Sequence, residues 1–231
     1  MRTRLLEYIT GLFFPRVCAA CGNTLMRDED VVCLTCRYTL PKTGYETFHE
    51  NPSAQLFYGR AKLNAVTSCF FFSKSGKVQH LIHELKYKGN SKAGIFLGQE
   101  IGKSIKEAPD FGKIDCLVPV PLHPKRQRKR GYNQSEMIAN GICQVTGIPV
   151  ACGNLVRVVN TATQTHKNKE ERYENVKDIF SVSNPEQLQG KHVLLVDDVL
   201  TTGATLTSCI NKLSAVPGIT ISVATAACAG N

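Results

Sequence analysis

The stretch Val193-Leu-Leu-Val-Asp-Asp-Val-Leu-Thr-Thr-Gly-Ala-Thr-Leu206 decides the fold. Its apolar run, Val193 to Val196, has the length and composition of a strand buried on both faces. The run ends in two acids, Asp197 and Asp198. A loop of small and hydroxyl residues follows, Thr201-Thr202-Gly203-Ala204-Thr205, and a helical stretch runs from Leu206 to Leu213. This order predicts a phosphate site on a helix N-terminus. The first N–H groups of a helix lack intrahelical partners, and the helix dipole is positive there, so an anion is stabilised. Gly203 lets the main chain approach the ligand. Thr201, Thr202 and Thr205 add hydroxyl donors. Two carboxylates would repel a phosphate, but they suit the neutral hydroxyls of a ribose beside it.

A Walker-type nucleotide site is the competing reading of the acidic pair. It needs a Gly-x4-Gly-Lys-Ser/Thr loop after a strand. The nearest string, Gly98-Gln-Glu-Ile-Gly-Lys-Ser104, is one residue short and lies in a helical pattern. That reading is rejected.

A chain of 231 residues can build one sizeable core plus a small satellite module. An apolar fraction of 42% fits a globular protein. No long run lacks charges, so no membrane span is expected. Glu7 and Arg16 interrupt any signal-peptide core after the basic start Met1-Arg2-Thr3-Arg4, which predicts a cytoplasmic protein. The formal charge of +9 points to an anionic partner, either nucleic acid or a polyphosphate.

Arg4 to Phe14 has apolar residues at helical spacing and ends at Pro15. Two CxxC pairs follow, Cys18/Cys21 and Cys33/Cys36, separated by eleven residues. Each gap lets both sulfurs of a pair reach one ion, and four thiolates close a tetrahedron, so the expected metal is structural Zn²⁺. Disulfides are the alternative, and a reducing compartment disfavours them. The other six cysteines, Cys69, Cys116, Cys143, Cys152, Cys209 and Cys228, sit singly among apolar residues and read as core. Pro41 to Pro52 is polar and punctuated by Gly and Pro, which places a linker there. The expected division is an N-terminal helix and zinc-ribbon module, 1–50, and an α/β domain, 51–231.

In the second part, Leu63–Phe72 reads as a strand and Val78–Tyr87 as a helix. His80 and His83 on that helix lack a third ligand at suitable spacing and read as surface or helix-packing residues. Lys86-Tyr-Lys-Gly-Asn-Ser-Lys92 closes the helix as a basic turn with one aromatic, a contact for phosphate or a single strand through Lys86 and Lys88, or simply a solvated helix end. Ala93–Ile105 is the next helix. Ile114–Pro121 is a second buried strand. After it come Lys125, Arg126, Arg128, Lys129 and Arg130, five cations in six positions. Such runs are usually solvated, but this one follows a strand end where open α/β sheets bind ligands. Ser135–Val145 is a crossover helix, and Ile148–Val150 starts a strand. Leu155–Val159 and Ile179–Val182 are strands that flank a long polar loop, 160–175, of the length used for lids. Ile219–Ala226 is the last strand.

The acidic-pair stretch resembles the phosphoribosyl pyrophosphate (PRPP) motif of type I phosphoribosyltransferases. Val118-Pro-Val-Pro-Leu-His-Pro124, Arg130-Gly-Tyr-Asn-Gln134, Thr163-Gln164 with Arg172 and Asn175, Leu12-Phe-Phe-Pro15 before the first CxxC, and Leu85-Lys-Tyr-Lys88 extend the likeness. Together they resemble the competence-associated ComF family over nearly the whole chain. The C-terminal half is also similar to the PRPP domain of glutamine amidophosphoribosyltransferase, but the N-terminal nucleophilic Cys of that enzyme is not matched by Met1-Arg2-Thr3.

The resemblance implies a type I phosphoribosyltransferase fold, a parallel sheet flanked by helices, with a four-cysteine zinc ribbon ahead of it. It implies ribose hydroxyls on Asp197 and Asp198 and a 5′-phosphate on Thr201, Thr202, Gly203, Ala204 and Thr205. Val120, Pro121, Leu122 and His123 would form a pyrophosphate loop. Gln164 and Arg172 would reach pyrophosphate from the lid. PRPP would enter with Mg²⁺, held largely by its own oxygens. No side chain is nominated as a general base, and no stretch reads as a base-recognition hood. Three functions follow: a phosphoribosyltransferase, a single-stranded-DNA-binding competence protein with PRPP as ligand or regulator, or an adaptor that docks the DNA-uptake machinery through its zinc module.

Overall fold

A computed structural model of the chain describes residues 15–158 and 179–229. The expected N-terminal helix and the expected lid with Gln164 and Arg172 lie outside the described residues.

Four strands form one parallel sheet: β1 (Val66–Phe72), β2 (Cys116–Pro119), β5 (His192–Leu200) and β6 (Thr220–Ala229), in the spatial order β1-β6-β5-β2. Apolar residues on these strands alternate between two cores, because successive side chains of a strand point to opposite faces. Leu194 and Val196 of β5 and Leu117 of β2 join the core on one side. Val193, Leu195 and Val118 join the core on the other. A sheet buried on both faces needs helices on both faces, and the chain supplies them. Helices α3 (Lys77–Tyr87), α4 (Ser91–Lys106) and α6 (Gln134–Thr146) cover the first face through Leu81, Leu97, Ile101, Ile138 and Ile142. Helix α7 (Ala204–Leu213) covers the second through Leu206, Cys209, Ile210 and Leu213. Among the described residues no helix is long and apolar enough to cross a membrane.

β5 connects through α7 to β6 on one side. β2 leads through α5 (Pro124–Arg130) and α6 to Val150, which bridges Leu117 on the other side. Neighbouring strands whose connections leave in opposite directions open a crevice at their carboxyl ends, where α/β sheets take ligands. That crevice lies between the ends of β2 and β5.

α4 and α6 approach closely enough that two glycines are required. A Cβ on Gly98 would lie 1.9 Å from the Ile138 carbonyl oxygen, and one on Gly141 would lie 2.2 Å from the Ile95 carbonyl oxygen. The obstacles are backbone atoms, so no rotamer change relieves them.

Several expectations are corrected. The 41–52 segment is held down instead of linking freely. The buried Asn51 donates from Nδ2 to the Val66 carbonyl at 2.7 Å, and Lys42 pairs with the buried Glu100 at 3.0 Å. Polar side chains here satisfy the edge of β1 and a buried acid, a role that composition does not distinguish from solvation. Ile148–Val150 makes one bridge and no strand, since Pro149 removes a donor. β3 (Leu155–Arg157) and β4 (Phe180–Val182) pair antiparallel in a separate small sheet. Of the six single cysteines, Cys152 is exposed and Cys143 is only half-buried.

Gly98→Ala is expected to lower the melting temperature by about 5 °C or more, the cost of overpacking a tight helix contact. An unchanged thermal melt would show that α4 and α6 can separate without loss.

Candidate functional site

β5 continues through both acids to Leu200, further than its apolar run indicates. The acids therefore stand on a strand that pairs with β6 at Asp197 and Leu200, not on a mobile loop. Asp198 is buried. Asp197 accepts hydrogen bonds at Oδ1 from the Ser135 hydroxyl and from the Asp198 N–H, both at 2.9 Å. Asp198 accepts at Oδ1 from Lys86 Nζ at 2.8 Å. Its other oxygen, Oδ2, is buried with no hydrogen-bond partner among the described residues. A buried carboxylate oxygen left unpaired is costly. A ligand hydroxyl is a donor of the right kind for it.

Neither Ser135 nor the Lys86 contact was assigned from the sequence. Ser135 is held by its neighbour Asn133, the N-cap of α6. The Asn133 side chain accepts from the Ser135 N–H at 3.0 Å and donates to the Val120 carbonyl at 3.0 Å. One capping residue thus ties the expected pyrophosphate loop to the helix that holds Asp197. The cap pattern Asn133-Gln134-Ser135-Glu136 was the available signal. Lys86 was expected as a nucleic-acid contact, but the structure commits it to Asp198. No pairwise spacing rule reaches across their separation of 112 positions.

A neighbouring negative charge raises the proton affinity of a carboxylate. Burial, and then the Asp198 charge, push Asp197 up to about 7, against the opposing hydrogen bonds from the Asp198 N–H and Ser135 and the Lys86 charge.

The loop after β5 closes onto α7. Gly203 is the N-cap residue, with φ +75, and it offers no side chain to the first N–H groups of the helix. A residue with a Cβ is strained at that φ, and its Cβ would also meet the Phe57 ring at 3.3 Å. Thr201, Thr202, Ala204 and Thr205 are exposed around Gly203, and the loop encloses a hollow of about 50 Å³ with Asp197 on its wall. The Thr202 hydroxyl accepts from the Ala204 N–H at a long 3.5 Å, and a helix N-terminus so weakly capped, with hydroxyls beside it, is a ready anion cradle.

The Val120–His123 stretch follows β2, next to the strand that carries the acids. The Val120 N–H donates to the Val196 carbonyl at 2.9 Å, which extends the β2–β5 pairing up to the acids. Pro121, Leu122 and His123 are half-buried. His123 caps α5, accepting at Nδ1 from the Lys125 N–H at 3.2 Å. Lys125, Arg126, Arg128 and Lys129 are exposed on α5, while Arg130 is half-buried and bonded to Gln134. Lys88 is exposed beyond the end of α3.

The four N-terminal cysteines converge. The ligand atoms of Cys18, Cys21, Cys33 and Cys36 all lie within 4.8 Å of one another, and Cys21 and Cys33 Sγ are 3.8 Å apart. Zinc–sulfur bonds of about 2.3 Å in a tetrahedron put sulfurs roughly 3.8 Å apart, so the donor set fits a metal such as zinc. The second pair opens a short helix, α1 (Leu34–Thr39). Backbone N–H groups point at the sulfurs, Cys33 to Cys18 at 3.3 Å and Cys36 to Cys33 at 3.4 Å. Burial raises the Cys18 thiol, but N–H donors from Cys33, Cys21 and Ala20 outweigh it and bring it down to about 7. Burial and the neighbouring sulfurs push Cys36 up. The module docks on α3 and α4 through His80 Nδ1 to the Ala20 carbonyl at 3.0 Å, the Lys92–Asp30 pair at 3.0 Å and Arg37 over the Phe96 ring. His80 is a packing residue, as expected.

Residues 133–228 match the family described as "Phosphoribosyl transferase domain". Over 129 residues the chain is 32% identical to the DNA utilization protein YhgH of Salmonella typhi, covering 54% of this chain and 56% of that one. Over 137 residues it is 36% identical to Competence protein F of Haemophilus influenzae, covering 58% and 59%. Over 136 residues it is 29% identical to Competence protein ComFC of Bacillus subtilis, covering 58% and 52%. The chain thus spans somewhat more than half the length of these relatives. It carries a match to a phosphoribosyl transferase domain and is similar, over somewhat more than half of its length, to proteins named for competence and DNA utilization.

The Asp197 environment makes a signed prediction. The folded protein holds a proton on Asp197 up to about 7, whereas a free Asp loses it near 3.9. Between those values folding takes up a proton, so stability falls as pH rises through the window. Asn keeps the acceptor oxygen for Ser135 and carries no charge. Asp197→Asn is expected to melt roughly 5 °C above wild type at pH 8 and within ~1 °C of it at pH 4. Parallel melting curves at all pH values would contradict the buried, charge-coupled assignment.

Proposed function

We propose that this ComF-type chain binds PRPP with Mg²⁺ at the end of β5 and uses it, as phosphoribosyl donor or as ligand, in DNA uptake or nucleotide metabolism. The observation that carries the reading is the buried Asp198 Oδ2, without a partner among the described residues, close to an α7 N-terminus whose N-cap Gly203 has no side chain to offer. One feature wants a hydroxyl donor and the other an anion. A ribose 5-phosphate supplies both on one molecule.

In this reading Asp197 and Asp198 accept from the ribose hydroxyls. Thr201 to Thr205 cradle the 5′-phosphate with backbone N–H groups and hydroxyls. Val120, Pro121, Leu122 and His123 face the pyrophosphate, joined by Gln164 and Arg172 from outside the described residues. Mg²⁺, when bound, neutralises pyrophosphate charge. The chain's own contribution is positioning and charge stabilisation. No side chain is assigned as a proton acceptor. The division into a zinc-bearing module, 1–50, and a phosphoribosyltransferase-like domain, 51–231, belongs to the proposal, as does a cytoplasmic setting. The competence and DNA-utilization names of the relatives support the role in DNA uptake.

A second reading is favoured by α5. Its exposed Lys125, Arg126, Arg128 and Lys129 follow directly on the ligand end of β2. Such a cluster suits the backbone of single-stranded DNA, with PRPP as regulator of binding and the DNA-uptake machinery as partner.

Calorimetric titration with Mg²⁺ and PRPP is expected to show saturable binding to wild type. The Asp197→Asn, Asp198→Asn double variant should weaken it at least ~10-fold, the equivalent of a lost charge-assisted hydrogen bond. Equal binding by both proteins would remove the acids from the site. Steady pyrophosphate release with an acceptor selects the transferase. Strand binding whose salt dependence flattens when the α5 cations are neutralised selects the regulator.

A further inference from the structure

No stretch of sequence reads as a hood that recognises a base. The structure nevertheless contains a cleft of about 420 Å³ directly beside the acidic pair. Gln79, His83 and Tyr87 of α3 line it, opposite Asp198 and Thr201 of β5 and its loop, with Phe72 in the wall. Volumes of that order suit small organic ligands.

We propose that this cleft binds a nucleobase, adjacent to the ribose-phosphate site. The proposal rests on the PRPP reading for what lies beyond Asp198, and on the cleft itself for the rest.

The first support is an aromatic platform. His83 and Tyr87 are four apart, so they share one face of α3. Their rings lie 5.0 Å apart at a tilt of 44°. Tyr87 is 70% exposed. Flat heterocycles stack on such rings whatever their sequence identity.

The second is polar recognition at the edge. The Gln79 side-chain oxygen accepts from the Ser75 N–H. That fixes the amide and leaves its NH₂ as a donor. The His83 ring adds a nitrogen of either sense. Heteroatoms at a base edge are matched by groups of this kind.

The third is rigidity. The Tyr132 hydroxyl donates to the Leu85 carbonyl at 2.5 Å, and Lys86 reaches Asp198 at 2.8 Å. The last turn of α3 is pinned at the two residues that precede Tyr87, as a binding platform needs. The fourth is adjacency. Asp198 lines the cleft and Thr201 borders both it and the phosphate hollow. A base in the cleft and a ribose on the acids would therefore be neighbours, the arrangement that an N-glycosidic transfer or a nucleotide-sensing site requires. Exposed Lys88, next to Tyr87, admits a phosphate, so the base can come from a free nucleotide or from a single strand.

The test uses the full chain and two 2-aminopurine probes, the free 2-aminopurine nucleotide and an oligothymidine carrying one 2-aminopurine. Stacking quenches the fluorophore. The expected result is saturable quenching of at least one probe, weakened about tenfold by Tyr87→Ala and restored by Tyr87→Phe. Mg²⁺–PRPP titrations of Tyr87→Ala should match wild type, which shows that the variant is folded and separates this proposal from the PRPP reading. Quenching of the free nucleotide points to a small-molecule acceptor, and quenching of the oligonucleotide alone points to a strand. Equal quenching with Tyr87→Ala, or no quenching of either probe, overturns the proposal. Failure of PRPP to bind would count against the neighbouring site and leave the quenching to decide this one.

Discussion

Two carboxylates at the end of a central strand are an electrostatic burden, and the surrounding elements are arranged around it. Asp197 draws the N-terminus of α6 through Ser135, and Asp198 draws the C-terminal turn of α3 through Lys86. Both helices therefore converge on the carboxyl edge of the sheet. Asn133 then carries the constraint to the end of β2 through the Val120 carbonyl. The pair remains incompletely satisfied, with one buried Asp198 oxygen unpaired among the described residues and the proton affinity of Asp197 lifted towards neutrality. Residual dissatisfaction in an otherwise well-bonded site is how binding sites differ from cores.

The zinc-type cluster acts at a distance from this edge but on the same helices. Cys18, Ala20, Val32 and Cys36 are buried in one continuous core with Leu81, Leu85, Phe96 and Leu97. A metal holding the four sulfurs would contribute ~10 kcal/mol or more to ordering so small a module. Because that module seats α3 and α4, part of its stabilisation reaches the helix that presents Lys86 and Tyr87. The four-cysteine cluster and the carboxyl edge of the sheet are thus joined through one packed core.

What could be read from the sequence was local. The Val193–Val196 run, the two acids and the small-residue loop fix strand, turn and helix within fourteen residues, and the CxxC spacing carries its own geometry. What could not be read was long-range. Lys86 looks like part of a basic turn until the fold brings it to Asp198. Residues 41–52 look like a linker because Asn51 and Lys42 are polar, yet their partners are the β1 edge and buried Glu100. The cleft on α3 was invisible because its walls come from β1, α3 and β5, and no single stretch carries its pattern. The full length of β5 is hidden in the sequence because two acids end its apolar run, whereas pairing with β6 continues through Leu200.

The most direct measurement is a crystal structure of the full chain with Mg²⁺ and PRPP. The account predicts the 5′-phosphate on the backbone N–H groups of Thr202 to Thr205, the ribose hydroxyls on Asp197 and Asp198 Oδ2, and pyrophosphate beside Val120–His123. PRPP bound on the α5 cations, with the β5 loop and acids untouched, would contradict it.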